Sequence, residues 1–251
     1  MKDELGDLLK RFEIFSGQQV PPDTYIAVRL DGRGFSGLTE RRHYEHPFDI
    51  KFRDAMVTTA TSLVEAFNPV MAYTQSDEIS VLFGKNENIF ERRAEKLVST
   101  TASFAGSRFT QAASILDEVI MFDARIIALP NIERVADYIC WRHADAARNA
   151  LNSWAYWTLR KNGSSANGAA KELLGKGAAY KNELLFGHGI NFNDVPLWQR
   201  RGIMLTWEYY AKNGYNPVKK ETVTAKRRRV KVDMELPMGK EFAEYARKLL
   251  T

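Results

Sequence analysis

Val70-Met71-Ala72-Tyr73-Thr74-Gln75-Ser76-Asp77-Glu78-Ile79-Ser80-Val81-Leu82-Phe83 sets two β-rich runs around a short polar stretch, Thr74–Glu78, the pattern of a β-hairpin. Upstream, Pro47 precedes Phe48, Phe52, Met56, Ala60, Leu63 and Phe67, spaced near four like a helix face, and Asn68-Pro69 stops it. Before that helix, Tyr25–Asp31 alternates: Ile26, Val28 and Leu30 point one way, and Tyr25, Ala27, Arg29 and Asp31 the other. Downstream, Asn88 can cap a helix carrying Phe90, Ala94, Leu97, Thr101, Phe104 and Ala105. Residues 119–129 read as a strand with Asp123 in its middle, and Pro130-Asn131 opens a long helix towards Thr158. With an amphipathic opening helix over 3–15, the order contains βαββαβ. That is an α+β fold of the ferredoxin-like kind, an antiparallel sheet with helices on one face. Residues 1–160 read as this unit and 161–251 as a C-terminal extension integrated with it. The extension has a Gly/Ser-rich loop with one short helix over 161–177, and strands at 202–210 and 218–232.

The 251 residues are 45% hydrophobic and 27% charged, which suits a sizeable core and excludes collagenous and disordered classes. The longest apolar runs, such as Val119–Phe122, fall far short of the ~20 residues a bilayer span needs. The first residues are charged and carry no signal core, so the expected location is cytoplasmic. One cysteine, Cys140, excludes an internal disulfide framework and a cysteine zinc site. The net charge of +5 is concentrated. From Lys219 to Lys231 there are seven basic residues (Lys219, Lys220, Lys226, Arg227, Arg228, Arg229, Lys231) against one acid, Glu221, leaving the rest near neutral. Such a strip suits a polyanion; it equally suits a solvated edge strand protected by charge.

Asp31-Gly32-Arg33-Gly34-Phe35-Ser36-Gly37 follows the first strand and matches a dinucleotide fingerprint on paper. That reading needs a helix opening at the third glycine, and residues 38–43 show no apolar stripe. The preferred reading lets backbone N–H groups of Gly32 and Gly34 approach an anion. A carboxylate beside a phosphate cradle calls for a divalent cation between them, pointing to Mg²⁺ with a nucleoside triphosphate. The alternative is a tight turn with a solvent-facing Asp31. In a βαββαβ sheet the first strand lies beside the hairpin, so Asp31 and Asp77 can converge. Two carboxylates holding two cations is the arrangement of in-line nucleotidyl transfer. Arg92, Arg93 and Lys96 in the first turns of the next helix oppose its dipole, which suggests an external anion such as the β- and γ-phosphates; a solvated charge patch is the other reading. His43, His46, His143 and His188 show no metal spacing and read as surface or hydrogen-bonded residues, with His46 near the nucleotide.

These motifs, with Phe122-Asp123-Ala124-Arg125, Trp141-Arg142-His143-Ala144-Asp145 and Lys181-Asn182-Glu183-Leu184-Leu185-Phe186, closely resemble the histidine-tRNA guanylyltransferase superfamily, the 3′–5′ nucleotide-adding polymerases. The resemblance runs from about Tyr25 to Trp207. It implies a palm-like catalytic domain and two Mg²⁺ ions held by Asp31, Asp77 and the carbonyl of Gly32, with Glu78 supporting the site. It implies nucleotide contacts from Asp31, Gly32, Arg33, Gly34, Phe35, Ser36, Ser76 and Asp77, and triphosphate contacts from Arg93 and Lys96. Lys181 and Asn191 match positions near the nucleotide or the tRNA 5′ end, and Lys226, Arg227, Arg228 and Arg229 could track the tRNA. Where eukaryotic members carry His-Ile-Asn-Asn-Leu-Tyr-Asn, this chain has Ala147-Arg148-Asn149-Ala150-Leu151-Asn152-Ser153, resembling the bacterial and archaeal "like protein" branch. That branch implies templated repair of 5′-truncated tRNA, with activation of the 5′ end by ATP or GTP, and a homotetramer built as a dimer of dimers. The alternatives are non-templated guanylyl addition to histidine tRNA, a palm-fold nucleotidyl cyclase, and a non-catalytic RNA-binding module.

Overall fold

The computed structural model describes residues 4–216 and 221–250. One six-stranded antiparallel sheet runs in the order β4-β1-β3-β2-β5-β6. Its strands are β1 (Tyr25–Gly32), β2 (Met71–Gln75), β3 (Glu78–Phe83), β4 (Phe122–Leu129), β5 (Ile203–Asn216) and β6 (Glu221–Asp233). The expected βαββαβ core is present. Its crossover helices, α3 (Ile50–Phe67) and α4 (Ala94–Ala112), cover one face, where Ile26, Val28, Leu30, Ile79 and Val81 join Met56, Leu63, Leu97 and Phe109. Asp49 starts α3 by accepting from the N–H groups of Lys51 and Phe52, and Asn68 ends it in the left-handed region at φ 53°.

The other face is also covered. α5 (Ile132–Lys161) and α9 (Gly239–Leu250) pack Val135, Tyr138, Ile139, Phe242 and Ala246 on Ala27, Met71, Tyr73 and Leu82. α9 carries a strong apolar stripe that sequence reading passed over. Beyond α1 (Glu4–Lys10), α2 (Phe35–Arg41), α6 (Ala166–Leu173), α7 (Ala178–Gly187) and α8 (Leu197–Arg201) complete the helices among the described residues.

Several boundaries differ from the sequence reading. The opening helix expected over 3–15 ends at Lys10. A short helix, α2, opens at Phe35, because Gly34 turns the chain at φ 76°; Gly37 lies inside it rather than at its start. Phe48 lies before α3, not within it. The helix expected from Asn88 starts as a 3₁₀ turn, Ile89–Arg92, and becomes α-helical only at Ala94.

β5 pairs with β2 from Ile203 opposite Thr74 to Thr206 opposite Met71. The extension is thus part of the same sheet. Beyond Thr206, β5 and β6 continue as a two-stranded ribbon to Asn216 opposite Glu221. At about 3.3 Å per residue the ribbon projects roughly 30 Å, away from the hairpin tip. Lys219 and Lys220, and the residues 218–220 assigned to a strand, lie outside the described residues. So does Asp3 of the opening helix.

Candidate active site

Register brings the acids together. Asp31 lies opposite Glu78 on β3 and opposite Asp123 on β4, so three carboxyl-bearing positions form one row at one end of the sheet. Directly opposite residues in an antiparallel pair share a face. The hairpin turn is only Ser76-Asp77, with Ser76 at φ 53°. Its tip is held from three sides. The N–H of Gly32 donates to the Asp77 carbonyl at 3.0 Å, the Thr74 hydroxyl donates to the Glu78 carbonyl at 2.9 Å, and the Gln75 side-chain amide donates to the Gln199 carbonyl at 2.7 Å.

Burial first, and then the charge of Asp31, push the Asp77 carboxyl up to about 6. Burial also raises Glu78, but this group is taken: Arg142 grips it with two bonds of 2.8 and 2.7 Å. Asp145 holds the same guanidinium at 3.0 Å, and Arg148 and Asn149 hold Asp145 in turn. Glu78, expected among the catalytic acids, therefore serves as an anchor between β3 and α5. The donor set that remains, Asp31, Asp77 and the Gly32 carbonyl, is all oxygen. Mg²⁺ takes one or two carboxylates plus water and phosphate oxygens, so this set fits it. Among the described residues no group of three or more His, Cys, Asp or Glu gathers as a denser metal cage.

Two cavities meet at the tip, sharing Pro47, Phe48, Gln75, Ser76, Asp77 and Ser153. One, of about 320 Å³, includes Asp31, Glu78, Arg142 and Asn149. The other, of about 380 Å³, is aromatic: Phe35, Tyr44, His46, Phe52, Tyr156, Trp157 and Trp198. His46 stacks on Trp157 with centroids 3.7 Å apart. Ser36 opens into this cavity, whereas Phe35 is buried, packed on Phe52, Phe109 and Phe122, and forms the wall. His143 is the buried, hydrogen-bonded one of the two alternatives, bonded to the backbone of Pro237. It stacks on Phe242 at 3.7 Å, and burial lowers its pKa to about 4.

Other expected contacts separate. Of the Gly32 and Gly34 amides expected to face an anion, that of Gly32 is bonded to the Asp77 carbonyl, as its neighbour Arg33 is to that of Met121, so Gly32 cannot cradle a phosphate. Arg92 is structural, donating to the carbonyls of Val20, Pro21, Thr24 and Glu87. Thr24 immediately precedes β1 and Asp31 lies near its far end, so Arg93 and Lys96 sit roughly 20 Å from the carboxylates at the opposite end of the sheet. Phe90 packs there on Phe67, the last residue of α3. They cannot share a nucleotide with Asp31 of the same chain. Lys181 lines a third cavity, of about 520 Å³, with Arg148, Lys176 and Arg200. Asn191 is spent locally, accepting from Asn193 and donating to Asp194. On the ribbon, Arg228 lies 3.9 Å from the Trp207 ring, Lys226 4.6 Å from Tyr209 and Arg229 5.4 Å from Tyr210. Arg227 is exposed beside them. Sequence reading missed the grip of Arg142 and Asp145; their i, i+3 spacing was the available signal. It missed the aromatic cavity because its walls come from four distant segments.

This geometry defines an α+β protein with a palm-like sheet and a ligand-sized acidic cleft at its strand ends. The chain matches the family model described as tRNAHis guanylyltransferase over residues 6–130 and the Thg1 C terminal domain over 133–240. It belongs to the Thg1 family of tRNA(His) guanylyltransferases. It is 36% identical over 226 residues to tRNA(His) guanylyltransferase of Debaryomyces hansenii, covering 85% of both chains. It is 34% identical to the probable Bos taurus enzyme, covering 88% of this chain and 73% of that one. Among solved structures, a bacterial tRNA(His) guanylyltransferase (Thg1)-like protein in complex with GTP is similar at TM-score 0.77 and 28% identity, over 99% of both chains. The Saccharomyces cerevisiae enzyme is similar at TM-score 0.72 and 28% identity, over 79% of this chain and 91% of that one. None of the described helices is long and apolar enough to cross a membrane.

Proposed function

We propose that this chain adds nucleotides in the 3′–5′ direction to the 5′ end of truncated tRNA, choosing each by pairing with the opposing template base. The observation that carries the reading is the paired carboxylate site, Asp77 half-buried beside Asp31, at the meeting point of two ligand-sized cavities. The aromatic cavity accepts the base and ribose of the incoming triphosphate, with His46, Trp157 and Trp198 as its apolar walls and Ser36 and Ser76 at its mouth. Similarity to a protein solved with GTP and to one solved with ATP supports nucleoside triphosphates as ligands. Replacement of the eukaryotic His-Ile-Asn-Asn-Leu-Tyr-Asn stretch by residues 147–153 favours templated repair over dedicated addition to histidine tRNA.

Asp31, Asp77 and the Gly32 carbonyl would hold two Mg²⁺ ions, which when bound supply charge shielding for the triphosphate and acidify the attacking hydroxyl. The chain's own residues supply position. Arg142 fixes Glu78 and with it the turn that carries Asp77. Asp77 must be ionised to act as a ligand. In the transfer, the 3′ oxygen of the incoming nucleotide loses its proton and bonds to the 5′ phosphorus of the RNA. The bond to the leaving group breaks, releasing pyrophosphate from a triphosphate end, or AMP from an end adenylylated with ATP. Most of the rate enhancement is positioning and electrostatics. The ribbon leaves from the end opposite Asp77, so an RNA held by Lys226, Arg227, Arg228 and Arg229 reaches the carboxylates of another copy. That supports a homotetramer, in which Arg93, Lys96, Lys181 and Asn191 meet the triphosphate or 5′ end. Asp31→Ala and Asp77→Ala should each lower incorporation of labelled GTP into 5′-truncated tRNA by at least ~10³-fold while the circular dichroism spectrum is kept. Undiminished incorporation in both would remove the site assignment.

A further inference from the structure

Trp141 is unusual for a large aromatic beside a charged cleft. It stands on α5 with 53% of its surface exposed, one residue before Arg142, whose guanidinium lies 4.6 Å from its ring centre. Arg142 cannot swing away, because Glu78 and Asp145 hold it. Arg29, two residues before Asp31 on β1, lies 5.7 Å from the same ring. The Arg29 side chain is only 15% exposed. Among the described residues it makes one long ion pair, 3.8 Å to Glu78, and its buried Nε has no hydrogen-bond partner. A packing role alone would bury the indole; here the ring is backed by fixed cations and left open to solvent. Cations behind an indole suit it to an electron-rich, flat, partly anionic ligand on its open surface.

The two sides of the carboxylate row differ. The aromatic cavity reaches α5 at Ser153, Tyr156 and Trp157. Trp141 precedes Trp157 by sixteen residues on the same helix, roughly 24 Å along its axis, and flanks the row from the β1–β4 side. Asp123 and Arg125 are exposed on that side too. A reaction that joins two nucleotides needs two base-sized sites flanking the reacting atoms. We infer that Trp141 is a stacking platform for a nucleobase, that of the RNA's 5′-terminal nucleotide, held across the carboxylate row from the incoming triphosphate. This rests on the reading of the aromatic cavity as the triphosphate side.

The test is a binding cycle on the full chain. Wild type and Trp141→Leu are titrated with a 5′-truncated tRNA bearing either an intact or an abasic 5′-terminal nucleotide, and separately with GTP. A stacking platform predicts that Trp141→Leu weakens binding of the intact tRNA by about 5- to 100-fold and leaves the abasic tRNA unchanged. Trp141→Phe should recover most of the loss. Weakening confined to GTP would overturn the assignment to RNA and give the platform to the triphosphate. An equal loss for intact and abasic tRNA, or no loss, would overturn the platform itself and leave Trp141 as support for Arg142. Incorporation of labelled GTP by wild type is measured in parallel. Base-dependent coupling without incorporation contradicts the proposed reaction and keeps the platform, whereas incorporation without coupling does the reverse.

Discussion

The surroundings of Asp77 disfavour its charge. Its carboxyl is raised to about 6 by burial and by Asp31, so the folded chain holds that proton more tightly than the unfolded chain does. Stability from this group is therefore present at acid pH and is lost as pH rises from about 4 through 6. In EDTA, Asp77→Asn should raise the melting temperature by ~2–6 °C at pH 7.5 and leave it unchanged at pH 4. Mg²⁺ should narrow the gap at pH 7.5 by stabilising the wild type. A variant no more stable than wild type at pH 7.5 would show that neither burial nor Asp31 disfavours the Asp77 charge. At this scale the sequence was informative: Asp31 and Asp77 were identifiable from a strand end and a turn, since both signals are local. The roles of Glu78 and of the Gly32 and Arg33 amides were not. Each depends on a partner far along the chain: Arg142 for Glu78, Asp77 for Gly32 and Met121 for Arg33.

Among the elements, α5 does two jobs. Its first half seals the second face of the sheet, and its Arg142 reaches to the hairpin. Arg142→Met would leave Glu78 buried with only Arg29 nearby, and removing one partner of a buried pair costs about 3–5 kcal/mol. Adding Glu78→Gln should return much of that, because no uncompensated charge is then buried. Urea denaturation of the two single variants and the double variant measures the coupling; strict additivity would mean that the grip contributes nothing. The βαββαβ order was legible because α3, α4 and the strands β1 to β4 carry local apolar patterns that can be read from the sequence. The short α2 was not, because its start is set by a glycine turn rather than an apolar stripe. The helix expected at Asn88 began late, since residues 89–92 are drawn into a 3₁₀ turn by Arg92's bonds to the segment before β1.

On the scale of the whole molecule, charge is separated by distance. The acids lie at one end of the sheet, and the ribbon with its interleaved arginines and tyrosines leaves from the other. Composition signalled the basic strip but not its direction, which depends on β5 pairing with β2 in antiparallel register. If the ribbon holds RNA phosphates, log Kd for tRNA will vary linearly with log salt. Replacing Arg227 or Lys226 with Gln should each reduce that slope by about 1 without changing which tRNA is preferred. An unchanged slope would remove the ribbon from the interface. The central claim is templated addition at the Asp31–Asp77 site. The most direct measurement incubates the enzyme with tRNAs lacking one 5′ nucleotide, varies the opposing base through all four, and identifies the nucleotide incorporated. The account predicts that each opposing base selects its Watson–Crick partner; guanosine addition whatever the opposing base would contradict it.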